Sequence, residues 1–202
     1  MNQENDFDKC HKIGILDIEA SALDAQYGYL LAACIKTVNK DNLLGPTYSV
    51  RIDDPRNPIK QNKPLSLSQI IAQDKWVVES LVTEMNKYDL LMTWYGSSYD
   101  FPFINTRALK HNILPPNKNY RRDLYYCARG FGRLKSNKLV SWGSFLFGKS
   151  GKTFLNWSVW IGAMRGHRWA LNYIEAHCKA DVLETEKIYK RFIPLLGKLR
   201  RP

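Results

Sequence analysis

Apolar positions along this chain follow two different periods. Between residues 13 and 52 they form short runs separated by turn residues, and from residue 68 onward they recur mostly at steps of three and four. Ile13–Ile18 reads as a buried strand, Tyr27–Thr37 as a second and Thr47–Ile52 as a third, with Asn39-Lys40-Asp41-Asn42 supplying turn chemistry. Strands this closely spaced leave no room for a crossover helix, so they imply an antiparallel meander. Asp53–Pro64, rich in Pro, Asn and Lys, predicts a surface loop.

The helical period begins with Ser68–Lys87, where Ile70, Ile71, Trp76, Val77, Leu81, Val82 and Met85 share one face. Leu90–Trp94 is a short apolar run suited to a central strand. Asp100, followed by Pro102, looks like the N-cap of a helix running to about Lys110. A long closing helix, about Trp169–Phe192, carries Leu171, Ile174, Cys178, Val182, Thr185, Tyr189 and Phe192 as an apolar stripe. Strands, then alternating helix and strand, then a long helix predict an α/β fold: a mixed sheet covered by helices.

Composition narrows the partners. The chain has 202 residues, enough for one domain with a substantial core; we take 11–195 as that domain, 1–10 as a disordered N-terminus and 196–202 as a basic tail. Thirty Lys and Arg against 19 Asp and Glu leave a net charge of +11, which favours a polyanion, and nucleic acid ahead of a membrane surface. No apolar run approaches the roughly 18 residues of a membrane span, and the acidic start is unlike a signal peptide, so an intracellular location is expected. Cys10, Cys34, Cys127 and Cys178 are scattered without a Cys-x-x-Cys pair, so they are expected to be reduced, small apolar side chains.

The chemistry concentrates on acids. Asp17 and Glu19 stand two apart in a strand, so both carboxylates leave the same sheet face, where like charges repel unless a cation binds them. Oxygen ligands of this kind suit a hard divalent ion such as Mg²⁺ together with substrate phosphates. Asp100 begins a helix just after a strand, and Asp181 lies in the last helix one turn beyond His177. His177 could assist an attacking water; Tyr173, one turn further back, is the alternative. Residues 118–152 hold nine Lys and Arg and a single acid, Asp123, interleaved with Tyr, Phe and Trp, a composition that fits single-stranded nucleic acid. Arg121, Arg122, Arg129, Arg133, Lys135 and Lys138 are the candidate contacts there.

These segments also resemble a known group. Leu16-Asp17-Ile18-Glu19-Ala20 resembles the first motif of the DEDD 3′–5′ exonucleases, which have a ribonuclease H-like fold. The stretch Thr93-Trp94-Tyr95-Gly96-Ser97-Ser98-Tyr99-Asp100-Phe101-Pro102-Phe103, continuing to Arg107-Ala108, looks like the second, and is especially similar to the proofreading domains of family-B DNA polymerases. Tyr173–Val182 resembles the third, and Arg133–Leu139 the stretch preceding it. Two positions depart from the pattern. Gly96 stands where those proofreading domains usually carry Asn, and His177 stands four residues before Asp181, which is histidine chemistry at the spacing of the tyrosine subclass.

The resemblance implies two divalent cations, Mg²⁺ or Mn²⁺, held by Asp17, Glu19, Asp100 and Asp181, with His177 beside them and Tyr99 among the nucleic-acid contacts. It implies hydrolysis of nucleic acid from a 3′ end, single-stranded DNA favoured and RNA possible, with a polymerase or repair partner in trans for any proofreading. An endonuclease on the same scaffold and a catalytically silent binding module are the alternatives.

Overall fold

A computed structural model describes residue 10 and residues 12–38, 45–57 and 67–197, apart from the side chains of residues 67–71 and 73. The expected turn at 39–42, most of the loop to Pro64, nearly all of the N-terminal ten residues and the tail beyond 197 lie outside the described residues. Cys10 is described, and it is buried in the core.

Among the described residues, five strands form one mixed sheet in the order β3-β2-β1-β4-β5: β1 (Ile13–Ala20), β2 (Leu30–Val38), β3 (Thr47–Arg51), β4 (Leu90–Thr93) and β5 (Tyr120–Asp123). The first three pair antiparallel, as the meander predicts; β1–β4 and β4–β5 pair parallel. β1 runs two residues further than the apolar run suggested and so includes Glu19. β2 starts three residues later, because a turn closed by Ser21 N–H to Tyr29 O (3.0 Å) occupies the intervening chain. The sequence pattern did not disclose β5, whose Tyr-Arg-Arg-Asp run lacks a strand's apolar alternation.

Among the described residues, six α-helices cover the sheet: α1 (Leu67–Met85), α2 (Asp100–Lys110), α3 (Leu124–Phe131), α4 (Leu139–Phe147), α5 (Trp157–Met164) and α6 (Arg168–Phe192). The two-residue period of β1 divides them. Leu16, Ile18 and Ala20 join Val77, Leu81 and Met85 of α1 and Phe101 and Ile104 of α2 in one core, whereas Ile13 and Ile15 join Cys178, Val182 and Phe192 of α6, with Leu124, Leu139 and Trp142, in the other. Asp17 and Glu19 share the register of Ile15, so they lie on the α6 side. No disulfide joins the cysteines among the described residues, and Cys34 and Cys178 are buried between β2 and α6.

The opposite face is pinned by a buried ion pair. Arg107 forms a bidentate pair with Asp74 (Nε–Oδ2 2.8 Å, Nη2–Oδ1 2.6 Å), and both side chains are fully buried. Asp74 also accepts from Leu30 N–H (3.0 Å) and contacts His111 Nε2 (2.6 Å), while Arg107 Nη1 donates to Ala25 O (3.3 Å). One carboxylate thereby ties α1, α2, β2 and the turn after β1, and these partners hold it below the usual Asp range despite its burial. Breaking such a pair on one side leaves an uncompensated charge. Arg107→Met should lower the unfolding free energy by about 3–5 kcal/mol in urea titrations, and Asp74→Leu added to it should restore part of the loss.

Candidate active site

The site forms at the carboxyl ends of the parallel strands, where β1 delivers Asp17 and Glu19 and the turn after β4 delivers Asp100. Asp100 is the first residue of α2, not its cap: Tyr99 holds the N-cap position, with no side-chain capping bond. The Asp100 carboxylate turns inward and accepts from Ile18 N–H (3.1 Å), midway between Asp17 and Glu19. From the other side α6 supplies His177 and Asp181, four residues apart and buried on one helical face. His177 Nε2 lies 3.7 Å from Glu19 Oε1 and 3.9 Å from Asp181 Oδ2. Cys178 Sγ donates to Asp17 O (3.3 Å), which fastens α6 to β1 at this level.

Burial and neighbouring negative charge resist ionisation of Asp17, Glu19 and Asp100. Asp17 is raised well above the ordinary Asp range, first by burial and then by Glu19, Asp100 and Asp181. Burial, followed by Asp181, pushes Glu19 up to about 8, and burial pushes Asp100 up to about 7 against the opposing hydrogen bonds from its own N–H and that of Ile18. His177 is lowered, again chiefly by burial, so its neutral form is favoured.

The connection from α4 to α5 lies across the site. Lys152 Nζ pairs with Asp181 Oδ2, Thr153 Oγ1 sits 2.5 Å from His177 Nδ1, and Phe154 O accepts from Tyr173 O–H (3.3 Å). Among the described residues, no cluster of three or more His, Cys, Asp or Glu is already in position to hold a metal ion. The donor set nevertheless fits one. Asp17 Oδ2 and Asp181 Oδ1 are shielded from solvent without a hydrogen-bond partner, and four clustered carboxylates are hard oxygen donors whose repulsion a divalent cation relieves.

The sequence-predicted residues thus divide. Asp17, Glu19, Asp100, His177 and Asp181 converge on one corner. Tyr99 lines a neighbouring cleft of about 540 Å³ with Leu23, Phe103 and Ser98, its hydroxyl donating to Ala22 O (3.3 Å). Arg129, Arg133, Lys135 and Lys138 are exposed. Arg121 and Arg122 are half-buried: the Arg121 guanidinium lies 4.3 Å from the Phe101 ring centre, and Arg122 Nη2 donates to Gly197 O (2.8 Å). Tyr173, two turns from Asp181, is occupied by Phe154. At Gly96 a Cβ would come within 2.5 Å of Thr93 Cβ, so the turn has no room for the Asn that the resemblance led one to expect.

Sequence reasoning missed Lys152 and Thr153, which sit in a Gly-Lys-Ser loop with no motif to mark them. It also missed the work of Asp123, for which a signal existed: one acid just ahead of an apolar helix is an N-cap pattern.

A sequence profile of the RNase H superfamily matches residues 15–193. No curated protein sequence matches the chain. Among solved structures the chain is similar to the family B DNA polymerase from the hyperthermophilic archaeon Pyrobaculum calidifontis, with a TM-score of 0.60 and 14% identity over 91% of this chain and 24% of that one. The chain therefore spans about a quarter of that polymerase, and at this identity the likeness is one of fold.

The raised carboxylates predict how stability responds to pH. Unfolded Asp and Glu release their protons near pH 4, whereas folded Asp100 and Glu19 hold theirs to about 7 and 8, so the folded state binds more protons between those limits. Stability from this set is fully present below pH ~4 and is lost as pH rises through 7 to 8. In EDTA, the thermal midpoint should fall between pH 5 and pH 8.5, and Mg²⁺ or Mn²⁺ should restore it most at the alkaline end, where binding to the folded state adds stability. Asp17→Asn should flatten the dependence in EDTA.

Proposed function

Because the chain belongs to the RNase H superfamily, we propose that it is a metal-dependent 3′–5′ exonuclease that hydrolyses phosphodiester bonds of nucleic acid, single-stranded DNA favoured, to release nucleoside monophosphates. The observation that carries this reading is the convergence of Asp17, Glu19, Asp100 and Asp181 beside His177, with two of the acidic oxygens buried and unpartnered.

Asp17, Glu19, Asp100 and Asp181 would hold two divalent cations, Mg²⁺ or Mn²⁺. When bound, such ions polarise the scissile phosphate, favour a nucleophilic water near neutral pH and offset charge on the leaving oxygen. The chain's own groups do the rest. Burial favours the neutral form of His177, and in the tautomer whose Nδ1–H donates to Thr153 Oγ1 its Nε2 presents a lone pair toward Glu19 and Asp181, with which it would accept a proton from the attacking water. Lys152, already paired with Asp181, brings a positive charge to where a phosphate would arrive. The Tyr173 hydroxyl donates to Phe154 O, which supports His177 over Tyr173 for this role. The exposed Arg129, Arg133, Lys135 and Lys138 supply cationic contacts to the strand.

A time course on 3′- and 5′-labelled single- and double-stranded DNA and RNA tests the proposal. Stepwise loss from the 3′ end in Mg²⁺ or Mn²⁺, none in EDTA, and an intact single-stranded circle are expected. Cutting of the circle would move the assignment to an endonuclease.

Asp17→Ala and Asp181→Ala should abolish cleavage while largely retaining nucleic-acid binding; undiminished metal-dependent hydrolysis by a clean Asp17→Ala preparation would sink the reading. His177→Ala should slow the reaction by roughly 10²–10⁴-fold, and Tyr173→Phe should remain close to wild type. The opposite pattern would hand the proton transfer to Tyr173.

A further inference from the structure

Three tyrosines at the strand ends belong to neither core. Tyr95 and Tyr125 lie with ring centres 4.8 Å apart, edge to face, and Tyr126 stands edge-on to Tyr125 at 5.2 Å. Tyr95 and Tyr126 are inclined to each other by only 30°, and each is nearly half exposed, at 45% and 44%. Burial of apolar surface does not account for such an arrangement.

The chain nevertheless goes to some trouble to hold it. Tyr95 adopts φ +74°, a left-handed conformation that a bulky side chain rarely takes. The turn stays there because the buried Asp123 accepts from Tyr95 N–H (2.9 Å), Ser97 N–H (2.9 Å) and Tyr125 N–H (3.0 Å). Ser98 Oγ and Tyr126 Oη, 2.7 Å apart, join the two segments again. The same turn leads directly into the acidic corner, since Phe101 N–H donates to Gly96 O (3.0 Å) and Asp100 lies between them. The Arg129 guanidinium lies 6.0 Å from the Tyr125 ring centre, and Arg133, Lys135 and Lys138, further along the chain, are exposed, while the one acid of the segment is consumed inside.

We propose that Tyr95, Tyr125 and Tyr126 form a stacking platform for the unpaired bases of a single nucleic-acid strand. Flat aromatic faces offered to solvent suit nucleobases of any sequence, and the Arg129 guanidinium beside Tyr125 suits a phosphate. A duplex hides its base faces, so the platform selects single strands. This rests on the phosphodiesterase reading for its place beside the site, but its test is one of binding.

That test uses full-length protein carrying Asp17→Ala, so that nothing is cleaved, and two fluorescent probes of equal length: oligothymidylate and its abasic counterpart. Oligothymidylate should bind more tightly. Tyr95→Gly, in which glycine accepts the left-handed backbone freely, and Tyr126→Ala should each weaken it by roughly tenfold while leaving the abasic probe unchanged. Tyr126→Phe, which keeps the ring, should retain the preference. Equal affinity of the parent for both probes, or equal losses on both in the variants, would overturn the platform. Base-dependent binding lost in Tyr95→Gly, with no cleavage by the protein that retains Asp17, would instead overturn the hydrolytic reading and leave the platform standing.

Discussion

Mutual repulsion among Asp17, Glu19, Asp100 and Asp181 is the constraint around which the molecule is organised. Left to itself, a sheet end would separate these groups, because each carboxylate brought out of water loses hydration and meets the field of the others. The fold prevents that separation by placing the acids on elements that have other reasons to stay together. Asp17 and Glu19 are fixed by the register of β1 against β2, Asp100 by its bond to Ile18 N–H, and Asp181 by the apolar face of α6. The resulting stress is evident in the raised carboxylates, and under the proposed function it is what bound divalent cations would relieve.

A stressed corner needs rigid surroundings, and these are found on both faces of the sheet. On one, the Asp74–Arg107 pair joins α1 to α2 and so sets where α2 begins; a shift there would move Asp100. On the other, α6 spans 25 residues, far more than would be needed to present one acid. Its buried Ile174, Cys178, Val182 and Ile188 anchor it, while Tyr173, His177 and Asp181 meet the loop carrying Lys152, Thr153 and Phe154. One helix thus serves the core along one stripe and the site along another, as its 3.6-residue period permits.

What could be read from the sequence followed from how local each signal is. The i, i+2 acids of β1 and the i, i+4 pair of α6 are fixed by the geometry of their own elements, so residue order alone placed them correctly. The antiparallel meander and the long closing helix were legible for the same reason. β5 was not: Tyr120–Asp123 lacks an apolar run of its own and becomes a strand only because β4 offers it an edge, with Leu90–Thr93 in parallel register. Thr153 beside His177 was equally hidden, because a contact between residues 24 apart depends on how a loop crosses a helix. Asp100 was read correctly as a helix start but wrongly as its cap, since capping is local and the partner of its carboxylate, Ile18, is 82 residues away.

Charge segregation ties these features together. Among the described residues, seven acidic side chains are buried (Glu19, Asp74, Asp100, Asp123, Asp181, Glu184 and Glu186), against two basic ones, Lys36 and Arg107. The net charge of +11 therefore understates how basic the outer surface is, because much of the acid that would offset it has been moved inside. Under the proposed function the two halves of that division would act on a polyanion in sequence: the outer cations would draw it in at long range, and the acids of the corner, once charge-compensated, would meet its phosphates at contact distance. Asp123 shows the same economy at one residue. Its charge, which on the surface would repel a phosphate, is turned inward to hold three backbone amides and with them the exposed tyrosines.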